Sequence, residues 1–281
     1  MIDIHTHSTC SDGTDTPFAL IQKALSTGIT TLGLTDHDSI EGWAEARSAL
    51  RGPLSLVPGA EVSTLTSDGI SVHILGLLFD GTNTTLQTML DETKDQRIPR
   101  MKKMIALLNA DGISVTMEDV MKAAPIGATV GRPHLADALV ARGVISARDE
   151  AFRELLHNDS KYYVEHVAPS PAEAIRVIRK AGGVAVIAHP FASRRGQVIT
   201  AETFGDLVEA GLNGIEVDHR DQSGDERESL RSIAKELGMA ITGASDYHGT
   251  GKMNSLGENL THPAEWERLE SQADQRRVVR V

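Results

Sequence analysis

The sequence predicts an α/β protein in which short strands alternate with amphipathic helices. Apolar, β-branched runs of five to nine residues recur through both ends of the 281-residue chain. Between them lie stretches of helical spacing, several of which start after Ser, Thr or Asp and stop at Gly, as helix caps require. The composition, 40% hydrophobic and 24% charged, supplies enough apolar surface for a full core. Alternation of this kind builds an α/β barrel or an open parallel sheet.

The first strand is read at IDIHTH (2–7) and is followed by helical PFALIQKALSTG (17–28). Strands are expected next at TTLGLTD (30–36), LSLVPGAEV (54–62) and SVHILGLLF (71–79). The link TLTSDGI between the last two is too short for a helix, so that pair should form a hairpin. From about 86 to 165 the rhythm breaks. There TLQTMLDETKDQRIPRMKKMIALLNADG, MEDVMKAAP, RPHLADALVARG and ARDEAFRELLHN read as helices, with no strand among them. A helical insertion of this length is expected to serve as a substrate-binding lid. The expected organisation is a barrel over 1–85 and 166–281, interrupted by an insertion over 86–165. Alternation resumes with SPAEAIRVIRKAGG (170–183), GVAVIAH (183–189), ETFGDLVEAG (202–211), NGIEV (213–217) and MAITGAS (239–245). The stretch EWERLESQADQRRVVRV reads as a last helix with a ragged, basic end.

Charge and composition exclude several functions. A net charge of −11 argues against a protein that coats duplex DNA. The charge is uneven: residues 93–165 hold 11 Lys/Arg against 10 Asp/Glu, and KDQRIPRMKK (94–103) alone holds five bases and one acid. That local surplus could attract a phosphorylated substrate or simply be a solvated helix face. No apolar run reaches the roughly 18 residues of a membrane span, and the beginning of the chain lacks signal-peptide character. The single cysteine, Cys10, rules out an internal disulfide and fits a reducing compartment, so a cytoplasmic location is expected.

Chemistry concentrates at strand ends. In a strand, residues i and i+2 share a face, so His5 and His7 aim together. LTDHDS places Asp36, His37 and Asp38 at the end of the second strand, although Asp38 is also open to reading as a helix cap. GAEVS carries Glu61, SVHILG carries His73, AHP carries His189, and ASDYHG carries Asp246 and His248. Six of the eleven histidines thus sit at or near strand ends, the rim where barrels of parallel strands build active sites. Of the others, His157, His166 and His262 read as surface residues.

These motifs, H-x-H, S-D-G, T-D-H-D, G-x-E-x-S, a strand histidine, A-H-P and S-D-x-H-G, resemble the polymerase and histidinol phosphatase (PHP) superfamily. The match runs in order over roughly 1–80 and 166–260. It implies a distorted seven-stranded (β/α) barrel of PHP type and two to three divalent metal ions. In that resemblance His5, His7, Glu61 and Asp246 hold the first ion. Glu61 bridges to a second, bound by His73 and His189, and Asp12, His37 and His248 hold the third. Imidazole and carboxylate suit Mn, Fe or Zn without selecting among them. Asp36 and Asp38 would orient neighbouring ligands, and Cys10 has no assignable role.

The resemblance implies a metal-dependent phosphoesterase. Glu61, Asp246, His37 and His248 are the expected catalytic groups, and His37, His248 or a metal-bound water are the candidates to protonate the leaving alcohol. G-R-P-H at 131–134 is similar to the stand-alone phosphoesterases, which include nucleoside 3′,5′-bisphosphate phosphatases. Arg132 and His134, where a helix begins, are expected to contact substrate, as are Lys161, Arg194, Arg195 and His219. The tyrosine pair after Lys161 could stack on a base. The leading expectation is release of the 3′-phosphate from a nucleoside 3′,5′-bisphosphate, giving AMP. Cyclic-phosphate phosphodiesterase and 5′→3′ exoribonuclease on short single-stranded RNA are the alternatives. Histidinol phosphatase is disfavoured by the G-R-P-H insert, and a non-catalytic sensor by the filled ligand positions.

Overall fold

The computed structural model describes residues 1–274 and 278–280. Seven strands hydrogen-bond in chain order: β1 (Ile2–Asp3), β2 (Thr31–Leu34), β3 (Ser55–Leu65), β4 (Ser71–Leu77), β5 (Val184–Ala188), β6 (Gly214–Asp218) and β7 (Ala240–Gly243). The first and last approach each other where Thr6 pairs in parallel with Tyr247 and the His7 N–H donates to the Tyr247 carbonyl at 2.8 Å. The sheet is thereby a nearly closed seven-stranded barrel. β5 is buried along its whole length, as strands covered on both faces must be.

One strand runs backwards. β1–β2, β2–β3, β5–β6 and β6–β7 are parallel, whereas β4 is antiparallel to both β3 and β5. The hairpin expected at TLTSDGI is present, with Ser63 opposite His73. Reversal puts the amino end of β4 beside the carboxyl ends of its neighbours. His73 therefore reaches the active rim from the start of its strand, not from its end.

Helices α1 (Pro17–Ser26) and α2 (Trp43–Ala49) precede the hairpin, and α7 (Pro171–Lys180), α8 (Thr203–Glu209), α9 (Gly224–Glu236) and α10 (Pro263–Glu270) follow the insertion. α1 starts where Thr16 accepts the Ala19 N–H at 3.1 Å and Pro17 occupies the first turn. α9 was not anticipated: most of its 13 residues are polar, and only Leu230 and Ala234 are buried. It is started by a reciprocal Ser223–Glu226 cap. The expected final helix is corrected as well. α10 stops at Glu270, and Val279 pairs with Leu56 through backbone bonds of 2.9 and 2.8 Å. Residues 275–277 and 281 of the basic end lie outside the described residues.

The helices between the hairpin and β5 are α3 (Thr84–Ala110), α4 (Met117–Ala123), α5 (Arg132–Ala141) and α6 (Arg148–Glu154). α3 belongs to two cores. Leu86, Met89 and Leu90 pack with the barrel cluster, whereas Met101, Met104 and Leu108 pack with Val120, Leu135 and Leu139 of the neighbouring helices. Pro99, which cannot donate a helical hydrogen bond, falls between the two halves.

Candidate metal centre

Glu61, on β3, is the hub. One carboxylate oxygen, Oε2, lies 3.3 Å from His5 Nε2, 3.1 Å from His7 Nε2 and 3.0 Å from His37 Nδ1. The other, Oε1, lies 2.7 Å from His73 Nδ1 and 3.2 Å from His189 Nε2. Asp246 Oδ1 approaches His5 and His7 at 3.5 and 3.2 Å. On the far side of His7, Asp12 Oδ1 is 3.1 Å from His248 Nε2 and its Oδ2 is 3.7 Å from His37 Nε2. Donor atoms of His5, His7, Glu61 and Asp246 converge within 4.8 Å, as do those of His7, Asp12, His37 and His248. The structure thus brings together all nine residues that the resemblance implied as ligands.

Local backbone chemistry sets these positions. His5 and His7 project from the extended chain beyond β1, with buried Ile4 on the opposite face. The segment after His7 folds back on itself at Gly13, where a Cβ would stand 2.6 Å from the His7 carbonyl oxygen. Asp36 ties that loop down, accepting from the Ser8 N–H at 2.8 Å and the Ser8 and Ser11 hydroxyls at 2.7 and 2.6 Å. His189 and Asp246 adopt left-handed φ values of 32° and 50°. Such backbone is costly outside glycine and gathers at functional sites.

Two imidazoles are locked from behind. Glu216 Oε1 is 2.9 Å from His5 Nδ1, and the Asp246 carbonyl is 2.8 Å from His248 Nδ1. With Nδ1 donating, each Nε2 lone pair points into the cluster, the arrangement that orients a histidine ligand. Glu216 was not foreseen. The signal available was a single acid inside the apolar run NGIEV, where alternation turns it away from Ile215 and Val217. We predict that Glu216→Gln weakens metal affinity about 10–100-fold, read by competition with a fluorescent chelator.

The cluster is electrically unfinished without a cation. His37 Nδ1, Glu61 Oε2 and His248 Nε2 are buried and lack a well-formed hydrogen bond. Burial alone would raise the Glu61 pKa, but His37, His73 and His5 hold it well below the carboxylate range. Burial disfavours a charged His7, yet Asp246 and Glu61 raise it to about 9, while burial pushes His248 down to about 4. Convergent imidazole nitrogens and carboxylate oxygens with unused lone pairs fit divalent cations. Cation binding must displace the protons on such imidazoles, so affinity increases with pH.

Above the cluster lies a cavity of about 510 Å³. Its floor includes Glu61, His73, His189 and Asp246, and its walls carry Arg97, Arg100, Arg132, Arg194, Arg195 and Lys252. Arg195 reaches Asp246 Oδ2 at 2.8 Å and His189 Nε2 at 3.1 Å, and Lys252 approaches the same Asp246 oxygen at 3.0 Å. Arg132 is anchored on the Leu156 carbonyl and Asn158 Oδ1 at 2.9 and 2.7 Å. His134, also expected to contact substrate, is buried and does not line the cavity; its Nδ1 accepts the Gly131 N–H at 3.0 Å, which shapes the start of α5.

Other expected contacts fall elsewhere. Lys161 is exposed, pairs with Asp111 and does not line the cavity. His219 is fully buried: its Nδ1 accepts the Asp221 N–H at 3.0 Å, and its Nε2 faces Asp246 Oδ2 at 3.3 Å. It steadies a carboxylate of the cluster. Tyr162 is buried among the insertion helices, and Tyr163 carries the Arg100 and Arg132 guanidinium groups over its ring at 5.2 and 5.3 Å, so the pair is not free to stack on a base. Two surface assignments are corrected: His166 is buried, and both His166 and His157 line the cavity. Only His262 stays outside, capping α10.

Comparison with known proteins agrees with this geometry. The PHP domain description matches residues 3–124. A 3′,5′-nucleoside bisphosphate phosphatase of Chromobacterium violaceum is 34% identical over 252 residues, 89% of this chain and 88% of its own. This chain belongs to the PHP family. A 5′-3′ exoribonuclease of Haemophilus influenzae is 34% identical over 92% of this PHP chain and 93% of its own. Among solved structures, one titled as a metal-dependent phosphoesterase from Bifidobacterium adolescentis superposes with a TM-score of 0.91 at 38% identity. It covers 97% of this chain and 96% of that one. The PHP enzyme is a metal-dependent phosphoesterase of the same barrel type. Among the described residues no helix is long and apolar enough to cross a membrane.

Proposed function

We propose that the enzyme hydrolyses the 3′-phosphate of nucleoside 3′,5′-bisphosphates, producing AMP and phosphate from the adenosine substrate. The observation that carries the reading is one cavity of about 510 Å³ with a carboxylate–imidazole floor and guanidinium walls. That volume suits a single nucleotide, and the two kinds of surface suit two phosphoryl groups. The relative named as a bisphosphate phosphatase, similar over most of both chains, supports it. Two to three Mn, Fe or Zn ions would be held by His5, His7, Glu61 and Asp246, by His73 and His189 through Glu61, and by Asp12, His37 and His248. When bound, such ions neutralise phosphoryl oxygens and lower the pKa of water toward about 7.

The protein groups then divide the work. Arg195 and Lys252 place positive charge beside Asp246, where phosphoryl charge develops during attack. Arg194 and Arg132 orient the substrate from the walls, and α3–α6 shield it from solvent. Water attacks phosphorus, the P–O3′ bond breaks, and the departing oxygen takes up the proton that the attacking water gives up. The metal-loaded enzyme should release phosphate from adenosine 3′,5′-bisphosphate with AMP as the nucleotide product; release no faster than from a buffer blank excludes this substrate.

A second reading is favoured by one observation. A cleft of about 700 Å³ along α3 shares Thr93 and Gln96 with the central cavity. It gives room for further nucleotides, as 5′→3′ trimming of short RNA would need. Product analysis on an end-labelled oligoribonucleotide separates the two: stepwise mononucleotides support trimming, and an uncut chain supports the bisphosphatase.

A further inference from the structure

Among the described residues, His166 is the one side chain with two buried polar atoms that lack a hydrogen-bond partner. It is about nine-tenths buried, it lines the cavity, and neither ring nitrogen has a hydrogen-bond partner. A buried polar side chain with two open positions calls for a partner that arrives from outside the chain.

Its surroundings define the chemistry of that partner. Burial and the nearby Arg100 and Arg97 guanidinium groups keep His166 neutral, with its pKa pushed down to about 2. Its ring therefore offers one N–H donor and adds no charge of its own. Arg97 already has its counter-ion in Asp38. Arg100 and Arg132 differ: among the described residues neither has a carboxylate within salt-bridge distance. Arg100 spends Nε on the Val164 carbonyl at 2.6 Å, and Arg132 spends Nη1 on Leu156 and Asn158. Both cations lean on the one Tyr163 ring. Two half-buried guanidinium groups without a counter-ion are destabilised until an anion joins them. A neutral base or ribose would leave the charge in place, and a metal ion would be repelled.

We propose that Arg100 and His166, beside Arg132, form an oxyanion subsite that holds the phosphoryl group the enzyme does not hydrolyse. This rests on the bisphosphate reading and extends it by naming the residues that distinguish two phosphates from one. The dianion accepts from the open guanidinium N–H groups and from the single imidazole N–H. Gripping that group fixes which phosphorus stands over the carboxylate–imidazole floor.

The test compares adenosine 3′,5′-bisphosphate with adenosine 3′-phosphate in the metal-loaded wild type, Arg100→Met, His166→Phe and His166→Gln. Charge-assisted contacts of this kind should make the wild-type ratio of kcat/KM on the order of 10²-fold in favour of the bisphosphate. Arg100→Met and His166→Phe should each cut that ratio about tenfold, whereas His166→Gln, which keeps an N–H donor, should restore most of it. An unchanged ratio in the folded Arg100→Met and His166→Phe variants, or a wild-type ratio near one, overturns the subsite. If neither substrate turns over, the bisphosphatase reading fails by itself. Calorimetry with AMP and adenosine on the Mn-loaded protein then decides the subsite. AMP should bind more tightly than adenosine, with the preference lost in Arg100→Met, and equal affinities reject it.

Discussion

Replacing Glu61 by Gln should leave a folded protein that no longer holds its full metal complement and turns over at least about 10³-fold more slowly. The side chain keeps its size, so no cavity opens in the barrel. What disappears is the charge that faces His5, His7 and His37 through one oxygen and His73 and His189 through the other. An amide would also present N–H donors to imidazoles that must themselves offer lone pairs inward. Elemental analysis after reconstitution, phosphate release and far-ultraviolet circular dichroism read the three parts separately. A Glu61→Gln enzyme with normal metal content and turnover would remove Glu61 from the centre of the site.

The second large effect is on stability. Arg97→Met should cost about 3–5 kcal/mol, because it strands a buried carboxylate. Asp38 is fully enclosed in a left-handed backbone conformation, and Arg97 meets it through Nε at 3.0 Å and Nη2 at 2.5 Å. The same guanidinium reaches the Ser63 hydroxyl at 2.8 Å and the Val130 carbonyl at 3.3 Å, so it clamps α3 and the segment before α5 to the barrel rim. For a chain of this size the thermal midpoint should fall by roughly 10 °C. Adding Asp38→Asn should recover part of the loss, since the pair is coupled and no buried charge then remains. If Arg97→Met melts with the wild type, the clamp is not holding these elements together.

Much of the barrel was legible because apolar runs and cap residues repeat with little ambiguity. The hairpin at TLTSDGI was legible for a simple reason: seven residues cannot hold a crossover helix. The consequence for His73 was not, since only strand direction shows that the start of β4 lies at the rim. α9 escaped because its residues are mostly polar, with only Leu230 and Ala234 buried. Asp38 could be read as a cap until Arg97, 59 positions away, was seen to bind it.

The candidate site divides in the same way. Ligand types at successive strand ends are a local pattern, and each was visible in its own motif. Glu216 was hidden because one acid in a strand looks like an edge residue until its partner, His5, is brought across 211 positions. His166, in a polar stretch between elements, reads as surface by composition alone. In the fold it lies near Arg97 and Arg100 of α3 and Arg132 of α5, which chain order does not place beside it.

If the Glu61 cluster is a metal centre that performs phosphoester hydrolysis, turnover must follow metal content. The decisive experiment strips the protein with a chelator and returns Mn in measured equivalents while following phosphate release from adenosine 3′,5′-bisphosphate. Activity should be absent in the stripped protein, rise with added metal and level off at two to three equivalents, with Glu61→Gln flat throughout. Full turnover in the stripped protein, or no bound metal after reconstitution, would contradict it.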